Sequence, residues 1–178
     1  DDEAVFENSF KVEDGSRIYW LPQELILFSK SAVSRNTKIE VDNSSEFLAF
    51  DHVILGRKAM GEVLSVSNFF DRWKIYYDNR LVYFDQFGWK KEVPRGISGF
   101  KNIASFASFF YVGRKAEYYL EKLRAYTTSS IKVFTGSSLR NNCLITRVHS
   151  RDISAVREET KKLLGSIWNL EEPEVWRV

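Results

Sequence analysis

Thiol and imidazole groups are scarce in this sequence: 178 residues carry one cysteine, Cys143, and two histidines, His52 and His149. A single cysteine cannot close an intrachain disulfide, which fits a reducing compartment and sets the expectation of a cytoplasmic protein. Borderline transition metals are usually held by imidazole or thiolate, and no CxxC, HxH or HExxH spacing occurs. No tightly bound metal or cofactor is therefore expected. Cys143 reads as a small core residue, His149 as a hydrogen-bonding group at a strand end, and His52 as a satisfied core histidine. No apolar run reaches the length of a membrane-spanning helix, so a membrane partner is not expected. Basic and acidic residues nearly balance, 26 against 24, and no Lys/Arg block stands out, which disfavours nucleic acid. Catalytic signatures are missing as well. There is no GxSxG or P-loop lysine, and the glycines of the segment from Gly56 to Glu62 are spaced wrongly for a dinucleotide. Gly136-Ser137-Ser138 reads as a polar turn before a strand, not as a nucleophile. The expectation is a protein that is not an enzyme.

What is abundant is aromatic: 14 Phe, 8 Tyr and 5 Trp. Such residues favour strands and the centres of interfaces. The length suits one core, and two halves would each be marginal, so residues 1–178 are read as a single domain. No initiator Met opens the sequence, and residues 5–12 already read as structure, so the chain is expected to continue upstream.

Short strand signals fill the first half. Residues 37–41 alternate, placing Ile39 and Val41 on one face, and residues 46–55 are apolar enough for a strand covered on both sides. Arg72–Tyr77 and Arg80–Asp85 flank Asp78-Asn79, which predicts a type I′ hairpin. The stretch 86–98, with Gly88, Pro94 and Gly96, reads as a loop. Trp89 within it is either an exposed anchor or a core residue, and the string Phe100, Phe106, Phe109, Phe110 and Tyr111 reads as core. Helical stripes come late, at 114–125 and 152–168, the second capped by Ser150 or Asp152. Ile131–Phe134 and Cys143–Val148 read as strands. The predicted fold class is α+β, predominantly β: stacked or sandwiched sheets, β-helix-like, with two α-helices in the C-terminal half.

Four blocks in register resemble the UreD/UreH family of urease accessory proteins. They are Trp20-Leu21-Pro22-Gln23-Glu24 with Phe28, then Phe50-Asp51 leading into Gly56-Arg57-x-Ala59-x-Gly61-Glu62. Gly136, Ser138, Leu144 and Arg147 with the helix after them form the third, and Pro173-Glu174-Val175-Trp176 the fourth. Glu174 stands where the family's ending usually carries arginine, and family members are longer at the N-terminus. The resemblance implies a non-catalytic scaffold that binds the urease apoprotein and a UreF-type partner. Through them it meets a UreG-type GTPase, and nickel passes in transit toward the urease active site. It also implies an elongated β-rich stack. From the best-matching block, Asp51 and Glu62 are expected to offer oxygens along an ion route or interface. Arg57 is expected to fix the loop or a partner carboxylate. The residues themselves leave Gly56–Glu62 open between a solvated connection and a partner contact. The alternative to the family reading is a generic β-sandwich module for an unrelated protein partner.

Overall fold

The computed structural model describes residues 3–57, 60–94, 103–126 and 131–177. Among them the strands are β1 (Ala4–Val12), β2 (Arg17–Trp20), β3 (Leu25–Leu27), β4 (Ala32–Val41), β5 (Glu46–Leu55), β6 (Val66–Tyr77), β7 (Arg80–Glu92), β8 (Ser105–Val112), β9 (Val133–Arg140) and β10 (Cys143–Ser150). The helices are α1 (Ala116–Ala125) and α2 (Ile153–Trp168).

One sheet has the order β1-β4-β6-β7, and the other β2-β5-β8-β10-β9 with β3 also paired to β5. The chain alternates between them at first. β1, β4 and β6 lie parallel in one sheet while β2 and β3 lie parallel to β5 in the other. Ala4 pairs with Val33 and Arg17 with Glu46, the same separation along the chain in both sheets. That winding is solenoid-like, and the rest closes as antiparallel hairpins. The sandwiched and the β-helix-like sides of the predicted fold class are thus both present, at opposite sides of one stack.

Apolar alternation sets which side faces inward. Phe47, Ala49, Val53 and Leu55 of β5 point between the sheets, whereas Leu48 and Phe50 point to the helix layer. This two-sided burial is what the continuous apolar run of residues 46–55 predicted. α2 starts on Asp152, whose carboxylate accepts from the N–H of Ser154 and Ala155, and ends on Asn169 at φ 55°. Its stripe of Val156, Leu163, Leu164, Ile167 and Trp168 is buried, with Trp168 stacked on Phe109 at 4.7 Å.

The predicted hairpin is present, with Asp78 and Asn79 at φ 50° and 61°. A second one, Asn141-Asn142 between β9 and β10, has the same left-handed pair. Two expectations are corrected. Residues 86–92 of the predicted loop continue strand β7, and 95–98 lie outside the described residues. Gly88 is required inside that strand because a Cβ there would sit 2.1 Å from the Phe69 carbonyl oxygen. Trp89 accordingly faces the core, its indole N–H on Ser67 Oγ at 3.0 Å. Gly136-Ser137-Ser138 is no turn but the middle of β9, and the turn falls three residues later. The string Phe109, Phe110 and Tyr111 is core as expected; Phe106 is partly buried, and Phe100 is not among the described residues.

Candidate functional site: a charged layer between the sheets

The two apolar clusters between the sheets do not merge. One contains Ile39, Phe47, Trp73, Ile75 and Phe110, and the other Val33, Val53, Leu55, Phe69 and Trp89. A polar row separates them at one level of the stack. Arg35 pairs across to Asp71 in the first sheet, and Asp51 to Ser108 to Arg147 in the second. Asp85 of β7, two residues from Phe87, the cross-strand partner of Asp71, completes the row at the surface.

At its buried end Arg35 binds two carboxylates at once. Its Nη1 and Nη2 donate to Asp51 at 2.6 and 2.8 Å, and its Nε and Nη2 to Asp71 at 2.9 and 2.6 Å. The Trp73 indole N–H adds a bond to Asp71 at 3.0 Å. Arginine suits this position because its fork reaches two planar acceptors and never loses its charge. Burial works against the Arg35 charge, but the two carboxylates outweigh it and raise its pKa further. Burial also raises the Asp71 pKa, with the Asp51 charge adding to it against the pull of Arg35. At the outer end Arg147 Nη2 donates to Asp85 at 2.5 Å and to the Tyr83 hydroxyl at 2.8 Å. Three carboxylates against two guanidiniums leave the row with one formal negative charge.

Between these ends lies a cavity of about 340 Å³, lined by Asp51, Asp71, Asp85, Ser108, Arg147 and His149 among aromatic walls. The space is polar and roomy enough to hold several waters.

The predicted site residues separate. Asp51 is in the buried row, while Arg57 and Glu62 belong to the connection after β5. Arg57 Nε donates to Glu62 at 2.7 Å, and the Ser29 N–H donates to the other Glu62 oxygen at 2.5 Å. Arg57 also lies over the Phe28 ring. These bonds, led by that from Arg57, lower the Glu62 pKa to about 2. Arg57 thus fixes its own loop, and Glu62 clamps that loop to the β3–β4 turn.

His52 is buried on the helix side of β5, but its Nε2 has no hydrogen-bond partner, so it is not the satisfied core histidine expected from the sequence. Burial pushes its pKa down to about 4. Cys143 is buried, its thiol pushed up to about 12 by burial alone. His149 stacks on Phe134 at 5.1 Å. Among the described residues no group of three or more His, Cys, Asp or Glu is placed to hold a metal ion.

Arg35, Asp71 and Asp85 were not singled out from the sequence. Their signal was present: each interrupts an apolar stripe, as Val33-x-Arg35-x-Thr37-x-Ile39 and Phe69-x-Asp71-x-Trp73-x-Ile75 show. The first, second and fourth motif blocks meet on the opposite face of β5. The Trp176 indole donates to the carbonyls of Leu21 and Pro22 at 3.2 and 2.9 Å, and its ring packs on Phe50 at 4.5 Å. Gln23 donates to the Val175 carbonyl at 2.7 Å.

Fold and site together define a class: a two-sheet β stack backed by two helices, with a charged layer across its interior. A family model described as UreD urease accessory protein matches residues 1–177. The chain belongs to that family. It is 33% identical to the urease accessory protein UreD of Rhizobium leguminosarum bv. trifolii over 98% of this chain and 64% of that protein. Its identity to the Agrobacterium fabrum protein of the same name is 33%, over 92% of this chain and 58% of that protein. For the Xanthobacter autotrophicus one it is 30%, over 92% and 57%. The chain spans less than two thirds of the length of these relatives. The family is accessory to urease and is not urease itself.

Proposed function

We propose that this chain is a non-catalytic scaffold that binds apo-urease and a UreF-type partner and helps deliver nickel to the urease active site. A cytoplasmic location and an indirect link to a UreG-type GTPase belong to the same reading. The observation that carries it is the charged layer leading from Asp85 and Arg147 at the surface to Asp51 in the interior. Its chemistry suits an ion in transit. The donors are oxygens, the net charge favours a cation, and Arg35 already occupies the two deepest carboxylates, so neither can seize the metal. A site of soft ligands would retain nickel instead of passing it on. Asp51 is then an oxygen along the route, while Arg57 and Glu62 stiffen the loop after β5 as a partner-contact edge.

The test is co-expression of the chain with apo-urease and a UreF-type protein, with a full-length relative as positive control. Co-purification and a nickel-dependent rise in urease activity are expected. Absence of binding by this chain, with the control intact, would refute the scaffold reading.

A further inference from the structure

β9 is the outer strand of its sheet and is exposed along both faces from Phe134 to Ser138. The opposing sheet ends at β7, so β9 overhangs it. Edge strands normally protect themselves with charge, bulges or shortness. β7 carries Lys90, Lys91 and Glu92 along its edge with Lys91 at φ 69°, β3 has only three residues, and β1 includes Glu7 and Lys11. Among the described residues nothing comparable guards β9, where Val133–Leu139 contains no charged residue and no proline.

The two-residue Asn141-Asn142 turn makes Arg140 and Cys143 a doubly hydrogen-bonded pair. Alternation then directs the N–H and C=O groups of Leu139, Ser137 and Thr135 away from β10, toward the open edge. Electrostatics narrow what can pair there. From Ile131 to Arg151 the sequence holds four Lys/Arg residues and no Asp or Glu. Asp152 and Asp85 offset Lys132 and Arg147 from outside the hairpin, and Arg140 remains exposed at its tip. Phe134 is 64% exposed and Ile131 fully so, giving apolar contacts beside the strand. Arg140 thus leaves the tip of the hairpin cationic, which favours an acidic strand over a second copy.

We propose that β9 is a strand-addition edge that takes an extended, acidic segment of a protein partner. Backbone pairing to Thr135, Ser137 and Leu139 supplies affinity, and the basic hairpin selects the charge. The inference stands apart from the nickel route and does not need it.

The test uses the isotope-labelled 178-residue chain and two peptides of about ten residues. One alternates glutamate with valine or threonine, and the other has lysine in place of glutamate. Amide shift changes confined to Val133–Arg140, and binding at least about tenfold tighter for the acidic peptide, are expected. Thr135→Pro removes one outward N–H without touching the β10 ladder and should weaken binding about fivefold, the worth of one backbone hydrogen bond. Arg140→Glu, at an exposed position, should abolish the preference for the acidic peptide with the fold unchanged. No binding, equal binding of both peptides, or shifts at β1 or β7 would overturn the proposal. So would a dimer of the chain that Thr135→Pro dissociates, because the edge would then belong to a second copy.

Discussion

Replacing Arg35 by methionine should be among the most damaging single changes in this molecule, and the reason lies in what remains behind. The substitution keeps most of the side chain's volume but removes four hydrogen bonds of 2.6 to 2.9 Å to Asp51 and Asp71. Two carboxylates then face each other between apolar clusters with no counter-charge. Removing one member of a buried ion network typically costs about 3–5 kcal/mol, mostly as the penalty of the stranded charge. At about 2–4 °C per kcal/mol for a chain of this size, Arg35→Met should lower Tm by roughly 10 °C. The companion variant is the triple change Arg35→Met, Asp51→Asn, Asp71→Asn, which strands no charge and should recover most of the loss. Urea unfolding at neutral pH measures both, and acidification should narrow the gap by protonating the stranded carboxylates. Equal stability of the single and triple variants would refute the reasoning, and so would a loss below about 1 kcal/mol for Arg35→Met.

Three further outcomes follow from the same geometry. His52 has a pKa depressed to about 4, so the stabilisation from keeping it neutral is complete above its ordinary 6.5 and is lost as pH falls from there toward 4. That loss is at most about 3 kcal/mol, and His52→Leu should flatten the pH dependence of unfolding in this window. The Glu62 carboxyl should titrate near 2 by NMR, and Arg57→Ala should move its midpoint up toward 4.5. Its contribution is present above about 4.5 and disappears as pH falls through 2, a dependence that Glu62→Gln should lack. Gly88→Ala should cost at least about 2 kcal/mol in chemical unfolding, because the new methyl meets backbone and not a movable side chain.

Legibility in the sequence followed the range of each physical cause. Local signals read well: the Asp78-Asn79 hairpin, the Asp152 cap and the two-sided burial of residues 46–55 all depend on neighbours in the chain. The errors came where a distant strand decides. Gly88 looks like a loop residue until the crossing of Phe69 is seen, and Trp89 stays open between anchor and core until Ser67 supplies its acceptor. Asp51 was reached through the Phe50-Asp51 block, but its partners were not, since Arg35 and Asp71 lie on other strands and meet it only through parallel pairing and sheet stacking. A charge inside an apolar stripe is the readable trace of such a network, and one basic and two acidic residues in the successive strands β4, β5 and β6 point to one another. The resemblance blocks likewise make sense only when folded, with Trp176 clasping Leu21 and Pro22 across the length of the chain.

The charged layer as an ion route is most directly tested by plugging it. Ser108 lines the cavity beside Asp51, its cross-strand neighbour, and between the two ends of the row, and Ser108→Phe would fill the space without removing any of the charged groups. Nickel incorporation into apo-urease would be followed in the complex with the wild-type chain and with this variant, with complex formation quantified in parallel. The account predicts unchanged binding and a loss of nickel-dependent activation. Full activation by the plugged variant, with the cavity shown to be filled, would contradict it.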